Sequence, residues 1–288
     1  MGKIKKTAYI SDITGYGRCS MTAAIPVLSA MGVQCCPMPT AVLSNHTGYP
    51  DAFFDDYTDR MPAYMDAWKR LGFSFDGIMT GYLGSPAQAA VVQDFIREFK
   101  QDSTLLLVDP AMGDNGRLYA AFDEHYAKKN ADLCAVADII DPNITEASFM
   151  TGLPYREEYP EEYVREMLLA LADIGTKTPI LTGVSLGTGK TGAMGYDSET
   201  KTFFNYQNDR VPAAYHGTGD IFSSVLAGAF VLGIGRGEAL KIAADYTALT
   251  IAQTLKNPGN PWYGVDFEAT IPALVSALRK AGKGIPEV

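Results

Sequence analysis

A chain of 288 residues that is 47% hydrophobic and 20% charged can bury a sizeable core, as one large α/β domain or two smaller ones. Its formal net charge of −9 argues against a general nucleic-acid or anionic-membrane surface, so an anionic substrate would need local help from backbone dipoles, Lys, Arg or a metal. No run approaches the roughly 18 apolar residues of a membrane span, and no long apolar stretch follows the basic opening MGKIKKTAYIS, so neither a span nor a signal peptide is expected. The four cysteines show neither zinc spacing nor a disulfide framework, which fits reduced cytoplasmic thiols, and the three histidines are too scattered for a metal site.

Residues 7–11 (TAYIS) read as a short buried strand that delivers Ser11 and Asp12 to its carboxyl end. Ligands bind there in open α/β sheets, although Asp12 could equally cap the next helix. The glycines of DITGYGRCS mark a turn, and MTAAIPVLSAMG reads as a helix. Residues 33–43 read as another strand, with Pro37 and Pro39 as candidate breaks. That strand ends in SNHTGY (44–49), a polar loop suited to a polar ring substrate or to an ordinary Asx-type turn. Residues 51–71 are expected to be helical, with Trp68 and Leu71 on the apolar face.

A third strand over 76–82 closes in TGYLGS, where Tyr82 could stack on an aromatic substrate, and Pro86 opens a helix to about Lys100. The clearest buried strand, TLLLV (104–108), leads into DPAMGD. Asp109 and Asp114 on one strand-end loop suggest magnesium bound directly or through water, or else two turn-forming aspartates. Residues 137–140 form a strand ending in DPNITE, where Asn143 and Glu146 have capping-box spacing and also face the same sheet edge as a metal-bound phosphate would. After an acidic amphipathic helix (159–174) and a strand (179–182), Thr182 is a candidate phosphate contact. GVSLGTGKT is not a Walker loop: position 184 is Val where Gly is required, and the following residues read as a hairpin rather than a helix, with Lys190 a candidate neighbour of nucleotide.

His216 then precedes Gly217-Thr218-Gly219-Asp220 and the apolar run IFSSVLAGAFVLG. Glycines at a helix N-terminus make a phosphate cradle, and Asp220 at its mouth suits a base for an attacking hydroxyl, or simply caps the helix. Two further helices, 236–256 and 266–280, flank a Pro/Gly loop. Strand–helix alternation implies one domain, 1–288, with a mainly parallel sheet and helices on both faces. All the polar loops then gather at one sheet edge, an arrangement suited to phosphoryl transfer.

GTGD before an apolar helix resembles the ribokinase superfamily, and SNHTGY, TGYLGS, DPAMGDNGRLY and DPNITEA together resemble the pyridoxal kinase family, in order from Ser11 to Asp220. The resemblance implies a three-layer α/β/α ribokinase-like fold and ATP-dependent phosphorylation of the 5′-hydroxymethyl group of a vitamin B6 vitamer. Matched by position, Asp220 is the base, and the Gly217, Thr218 and Gly219 backbone is the anion hole. Ser11, Thr47 and Tyr82 line the vitamer pocket. Asp109, Asp114, Asn143 and Glu146 face metal and ATP phosphates, with Thr182 nearby; the metal set is Asp109, Asp114 and Glu146. Tyr119 matches a tyrosine near the active site of some members, and it cannot capture an aldehyde as the cysteine of a neighbouring branch does. Members are commonly cytosolic homodimers using Mg2+, often with K+ or Na+.

The chain departs from the family at His216, at Asp141 in place of a small or hydroxyl residue, and in SDITGYGRCS, which lacks the Ser-x-Gln form. The alternatives are a hydroxymethylpyrimidine kinase of the same superfamily and a non-catalytic B6-binding protein. A sugar kinase is disfavoured by the missing N-terminal Gly-Gly signature.

Overall fold

A computed structural model describes residues 3–259 and 261–285. In chain order the elements are β1 (Lys5–Tyr16), α1 (Ser20–Ala30), β2 (Val33–Asn45), β3 (Phe54–Asp56), a 3-10 turn (Thr58–Arg60), α2 (Met61–Arg70), β4 (Gly77–Thr80) and α3 (Pro86–Phe99). There follow β5 (Leu105–Val108), β6 (Gly113–Asp114), β7 (Arg117–Leu118), α4 (Glu124–Cys134), β8 (Ile139–Ile140), α5 (Ile144–Thr151) and α6 (Glu161–Ile174). The chain ends with β9 (Thr178–Val184), β10 (Lys190–Asp197), β11 (Thr202–Asp209), α7 (Thr218–Val231), α8 (Arg236–Thr254) and α9 (Ile271–Lys280).

Nine strands form one sheet in the order β11-β10-β9-β8-β5-β4-β1-β2-β3. From β9 to β2 every neighbouring pair is parallel; the β10–β11 hairpin and β3 join the two edges antiparallel. The central strands read as unbroken apolar runs because both faces are covered. Ala8, Ile10, Ile78, Leu106, Val108, Ile140 and Leu181 point to a core shared with α2 through α6. Their alternates Tyr9, Met79, Leu107, Ile139 and Ile180 point to a second core under α1, α7, α8 and α9. The three-layer α/β/α arrangement with a mainly parallel sheet is therefore present.

Several local expectations are corrected. The stretch after Ser11 is not a turn: β1 runs on to Tyr16 and pairs with β2 as far as Tyr16–Asn45, with a register shift between Ser11 and Ile13. Pro37 and Pro39 do not break β2. β3 covers only Ala41–Leu43 of that strand, so both prolines lie where its outer side is an open edge and no donor is missed. Residues 51–71 are not one helix: Phe54–Asp56 is pulled into the sheet as β3, the 3-10 turn follows, and α2 starts at Met61. Trp68 packs against the core, whereas Leu71 is 67% exposed just past the C-terminus of α2. The last helix starts at Ile271, after Pro and Gly have ceased and a good N1/N2 proline is available.

Candidate active site

The strands of the parallel sheet end on the same edge, and each apolar run hands over to a polar residue there. β5 delivers Asp109, β8 delivers Asp141, and Thr182 of β9 sits beside Asn143 in a parallel bridge. Opposite them α7 begins. Gly217 holds φ +79°, and a Cβ on it would lie 2.0 Å from the Arg18 carbonyl oxygen, so only glycine makes this turn. The next residues, Thr218 to Asp220, form the first turn of α7, whose free N–H groups and dipole face the cavity.

A cavity of about 480 Å³ joins these parts. Of the residues expected at the site, it is lined by Asp109, Asp114, Asn143, Glu146 and Thr182 from the sheet side and by Gly217, Thr218, Gly219 and Asp220 from α7; Tyr119 and His216 line it too. Lys190 does not: its ammonium lies 2.6 Å from Asp209, and Arg210 takes the cavity-lining position instead. Towards α8 the lining turns apolar, with Val211, Ala213, Phe222, Ala244, Ala248 and Ile251, a slot suited to a flat base.

The acceptor-side residues sit apart from that cavity. Ser11 is fully buried, and its hydroxyl has no hydrogen-bond partner among the described residues. Tyr82 is half-buried, its ring 5.5 Å from that of Phe122, and Thr47 is exposed in the loop after β2. That loop is nevertheless tied to the phosphate turn. The rings of His46 and His216 lie 4.3 Å apart, and Trp262 meets both edge-on. The Gly48 amide donates to His46 Nδ1 at 3.0 Å, which fixes the ring.

Glu146 makes the capping box with Asn143 in full: the Asn143 amide donates to Glu146 Oε2 (2.9 Å) and the Glu146 amide to Asn143 Oδ1 (3.0 Å). Glu146 Oε1 also accepts from the Met112 amide at 3.1 Å. Asp114 is exposed and receives the Asn115 amide at 2.8 Å, which orders the β6–β7 turn. Among the described residues, no three His, Cys, Asp or Glu side chains close around one point as a metal set.

Ser223, one turn beyond Asp220, was not visible as a site residue in the sequence. Its hydroxyl donates to Asp141 Oδ2 at 2.5 Å and lies 3.4 Å from Asp109 Oδ2, joining α7 to the ends of β5 and β8. Asp141 Oδ1 is buried with no partner.

Besides the exposed Asp114, four carboxylates thus share a site where Arg210 is the sole lysine or arginine among the described lining residues. Burial is the main cause that raises each of them. Asp220 is pushed up to about 6, with Asp12 adding to the effect and the Ser20 amide opposing it. Asp141 is pushed up to about 7 against the bond from Ser223, and Glu146 to about 8 against three backbone donors. Asp109 is raised well above the usual range by burial and then by Asp141, Glu146 and Asp220. Such a cluster is suited to a ligand that brings its own cation.

Known proteins resemble this chain over most of its length. The family model described as phosphomethylpyrimidine kinase matches residues 17–261. A solved structure of a Bacteroides thetaiotaomicron protein, described as a candidate phosphomethylpyrimidine kinase and crystallised with pyridoxal, is 39% identical with a TM-score of 0.90, covering 99% of this chain and 98% of that one. The structure of pyridoxal kinase from Lactobacillus plantarum is 29% identical with a TM-score of 0.87, covering 95% of this chain and 98% of that one. Among curated proteins, the pyridoxal kinase of Sus scrofa is 28% identical over 91% of this chain and 81% of its own length. The chain belongs to the phosphomethylpyrimidine kinase family and is a phosphotransferase of the pyridoxal kinase type.

Proposed function

We propose that the protein transfers the γ-phosphoryl group of ATP to the 5′-hydroxymethyl group of a B6 vitamer, with Asp220 as the base and the Gly217–Gly219 backbone as the anion hole. One observation carries the reading: Asp220 stands in the first turn of α7, directly behind the glycine turn, where a hydroxyl held for attack would meet both a proton acceptor and the helix N–H groups. In this reading the apolar slot along α8 takes adenine, Arg210 and Thr182 meet phosphates, and the acceptor ring lies on the Ser11, Thr47 and Tyr82 side of Asp220. The bound pyridoxal of the 39% identical relative favours a B6 vitamer over a hydroxymethylpyrimidine.

Mg2+ fits the donor set. Asp109, Asp141 and Glu146 are hard oxygen donors on one wall, and Asp141 Oδ1 has no partner of its own. Because no three carboxylates converge on one point among the described residues, these side chains would hold the ion only together with water and the nucleotide phosphates, with Asp114 at the outer rim. The ion supplies neutralisation of phosphate charge. The chain's own residues orient the phosphates at the start of α7, keep the acceptor hydroxyl against Asp220 and take up its proton. The reading extends to a cytoplasmic homodimer, which sedimentation would check.

The test is Asp220→Asn assayed for ADP release with pyridoxal, pyridoxine, pyridoxamine and hydroxymethylpyrimidine, with products confirmed by mass. Turnover should fall by roughly 100-fold or more while acceptor binding is kept. An unchanged rate removes Asp220 from the mechanism, and a strong preference for the pyrimidine moves the protein to that substrate.

A further inference from the structure

The phosphate turn carries one polar side chain that neither the base nor the anion hole employs. His216 directly precedes Gly217, is exposed, and lines the cavity. Two segments distant in sequence fix its ring. The His46 ring, in the loop after β2, lies 4.3 Å away, and the Trp262 ring meets it at 6.0 Å and 80°. Trp262 in turn meets His46 at 5.5 Å and 89°. The packing is tight: a Cβ on Gly48 would stand 2.6 Å from Trp262 Cζ3 and 3.1 Å from His46 Nδ1. The Trp262 segment is itself anchored beneath the phosphate turn. The Arg18 amide donates to the Tyr263 carbonyl at 3.2 Å, the Arg18 side chain pairs with Asp266, and the Arg18 carbonyl is the one that a Cβ on Gly217 would meet. His46 Nδ1 accepts from the Gly48 amide, so His46 is neutral and brings no charge of its own. Of the three rings, that of His216 lines the cavity, and its nitrogens hydrogen-bond to no described residue.

We propose that His216 is a phosphate-binding residue: its imidazole donates to the γ-phosphoryl group of the nucleotide on the side that faces the acceptor. Position selects that phosphate. Contact with His46 puts His216 on the flank of the glycine turn nearest the acceptor loop, whereas the apolar slot runs along α8. The group between those two sides is the terminal phosphate. Charge points the same way. Among the described lining residues Arg210 is the sole lysine or arginine, against a wall of carboxylates, so a phosphate there is short of donors. An imidazole offers an N–H whether neutral or protonated, and hydrogen bonds to phosphate are among the strong ones. A ring already held on two sides also loses little freedom on binding. The α7 amides then meet the phosphate from the helix end, and His216 meets it from the turn before.

This inference rests on the start of α7 as the phosphate cradle and not on which acceptor is used, so binding is measured without turnover. His216→Phe keeps a ring against His46 and Trp262 and removes both nitrogens. His216→Gln keeps a donor and gives up the ring. Titration calorimetry with Mg2+ and either ADP or the analogue AMP-PNP separates the terminal phosphate from the rest of the nucleotide. We expect His216→Phe to weaken AMP-PNP about 10-fold and ADP by no more than about 2-fold, with the ligand-free Tm within about 1 °C of wild type. His216→Gln should hold AMP-PNP within about 3-fold of wild type. In steady-state kinetics kcat of His216→Phe should fall about 10-fold with the acceptor KM within about 2-fold. Equal losses for ADP and AMP-PNP, or none for either, overturn the contact. So does the reverse order, with His216→Phe intact and His216→Gln weak, which would make the ring a packing piece that holds the acceptor loop. A wild-type protein that binds AMP-PNP yet phosphorylates no B6 vitamer overturns the proposed acceptor instead, and the comparison of ADP with AMP-PNP then still decides His216.

Discussion

Asp141→Asn should reverse its effect on stability between acid and alkaline pH. In the folded protein the Asp141 carboxyl is raised to about 7, chiefly by burial, whereas unfolded it titrates as an ordinary aspartate. A carboxyl raised on folding makes the native state bind more protons than the unfolded state, so stability is lost as pH climbs from about 4 to 7. Three pKa units correspond to a penalty of about 4 kcal/mol that is complete by pH 8. Asparagine carries no such penalty and keeps an acceptor for Ser223, but its amide nitrogen takes the place of the partnerless Oδ1 and costs about 1–2 kcal/mol. The variant should therefore be less stable than wild type at pH 4.5 and more stable by about 2 kcal/mol at pH 8, or about 4 °C in Tm for a chain of this size. Thermal melts from pH 4.5 to 8.5 in a chelator give the curve. A difference that is flat with pH, or that leaves the variant weaker at pH 8, would refute the claim that an uncompensated charge is buried there.

The remaining expectations concern the same wall and turn. Ser223→Ala removes the bond that opposes the rise of Asp141, so at pH 8 it should destabilise by about 1.5–3 kcal/mol and at pH 4.5 by less, the opposite trend to Asp141→Asn in the same melts. With Asp220 pushed up to about 6 and required as the anion, kcat/KM should fall roughly tenfold per unit below that pH; a limb near pH 4 would show the carboxylate to be well solvated. Gly217→Ala meets the Arg18 carbonyl at 2.0 Å and holds an unfavourable φ, so the turn must shift, and single-turnover assays should show a loss of roughly 100-fold. Near-normal turnover would detach that turn from the chemistry.

Much of the sheet was legible because apolar runs ending in polar residues mark buried parallel strands, as at TLLLV before Asp109. The start of α7 was legible because glycines, an acid and an apolar run coincide there. What escaped was set by partners distant in sequence. From the sequence β1 ends at Ser11 and β2 at Leu43, with Pro37 and Pro39 as candidate breaks, but each strand supplies the other's hydrogen bonds out to Tyr16 and Asn45. Residues 54–56 carry helix-compatible composition and are drawn into β3 by pairing with β2. α4 (EHYAKKNADLC) is too polar to announce a buried face, yet Tyr126, Leu133 and Cys134 are buried. Ser223 resembles any other small residue of a buried helix until β5 and β8 bring carboxylates against it. Arg210 follows a hairpin whose closing geometry, not its residues, turns it to the cavity while Lys190 turns away to Asp209.

The opposing demands of binding and stability explain why the site is built on the sheet edge and on α7 rather than on loops alone. Asp109, Asp141, Glu146 and Asp220 repel one another and are poorly solvated, so gathering them works against folding. Elements with buried faces can hold them together. Ile221, Val225, Leu226 and Ala229 of α7 are fully buried against the core, as are Leu106, Leu107 and Val108 of β5. At about 25 cal/mol per Å² of apolar surface, such side chains supply enough to offset a few kcal/mol of electrostatic cost. The same rigidity keeps Asp220 and the strand-end carboxylates from moving apart to relieve that repulsion. A cation-bearing phosphate ligand then gains the relief as binding energy, and its addition should raise Tm more at pH 8 than at pH 5.5, where protons already neutralise part of the cluster. An equal shift at both values would mean that the ligand is held by the glycine turn and Arg210 without help from the carboxylate wall.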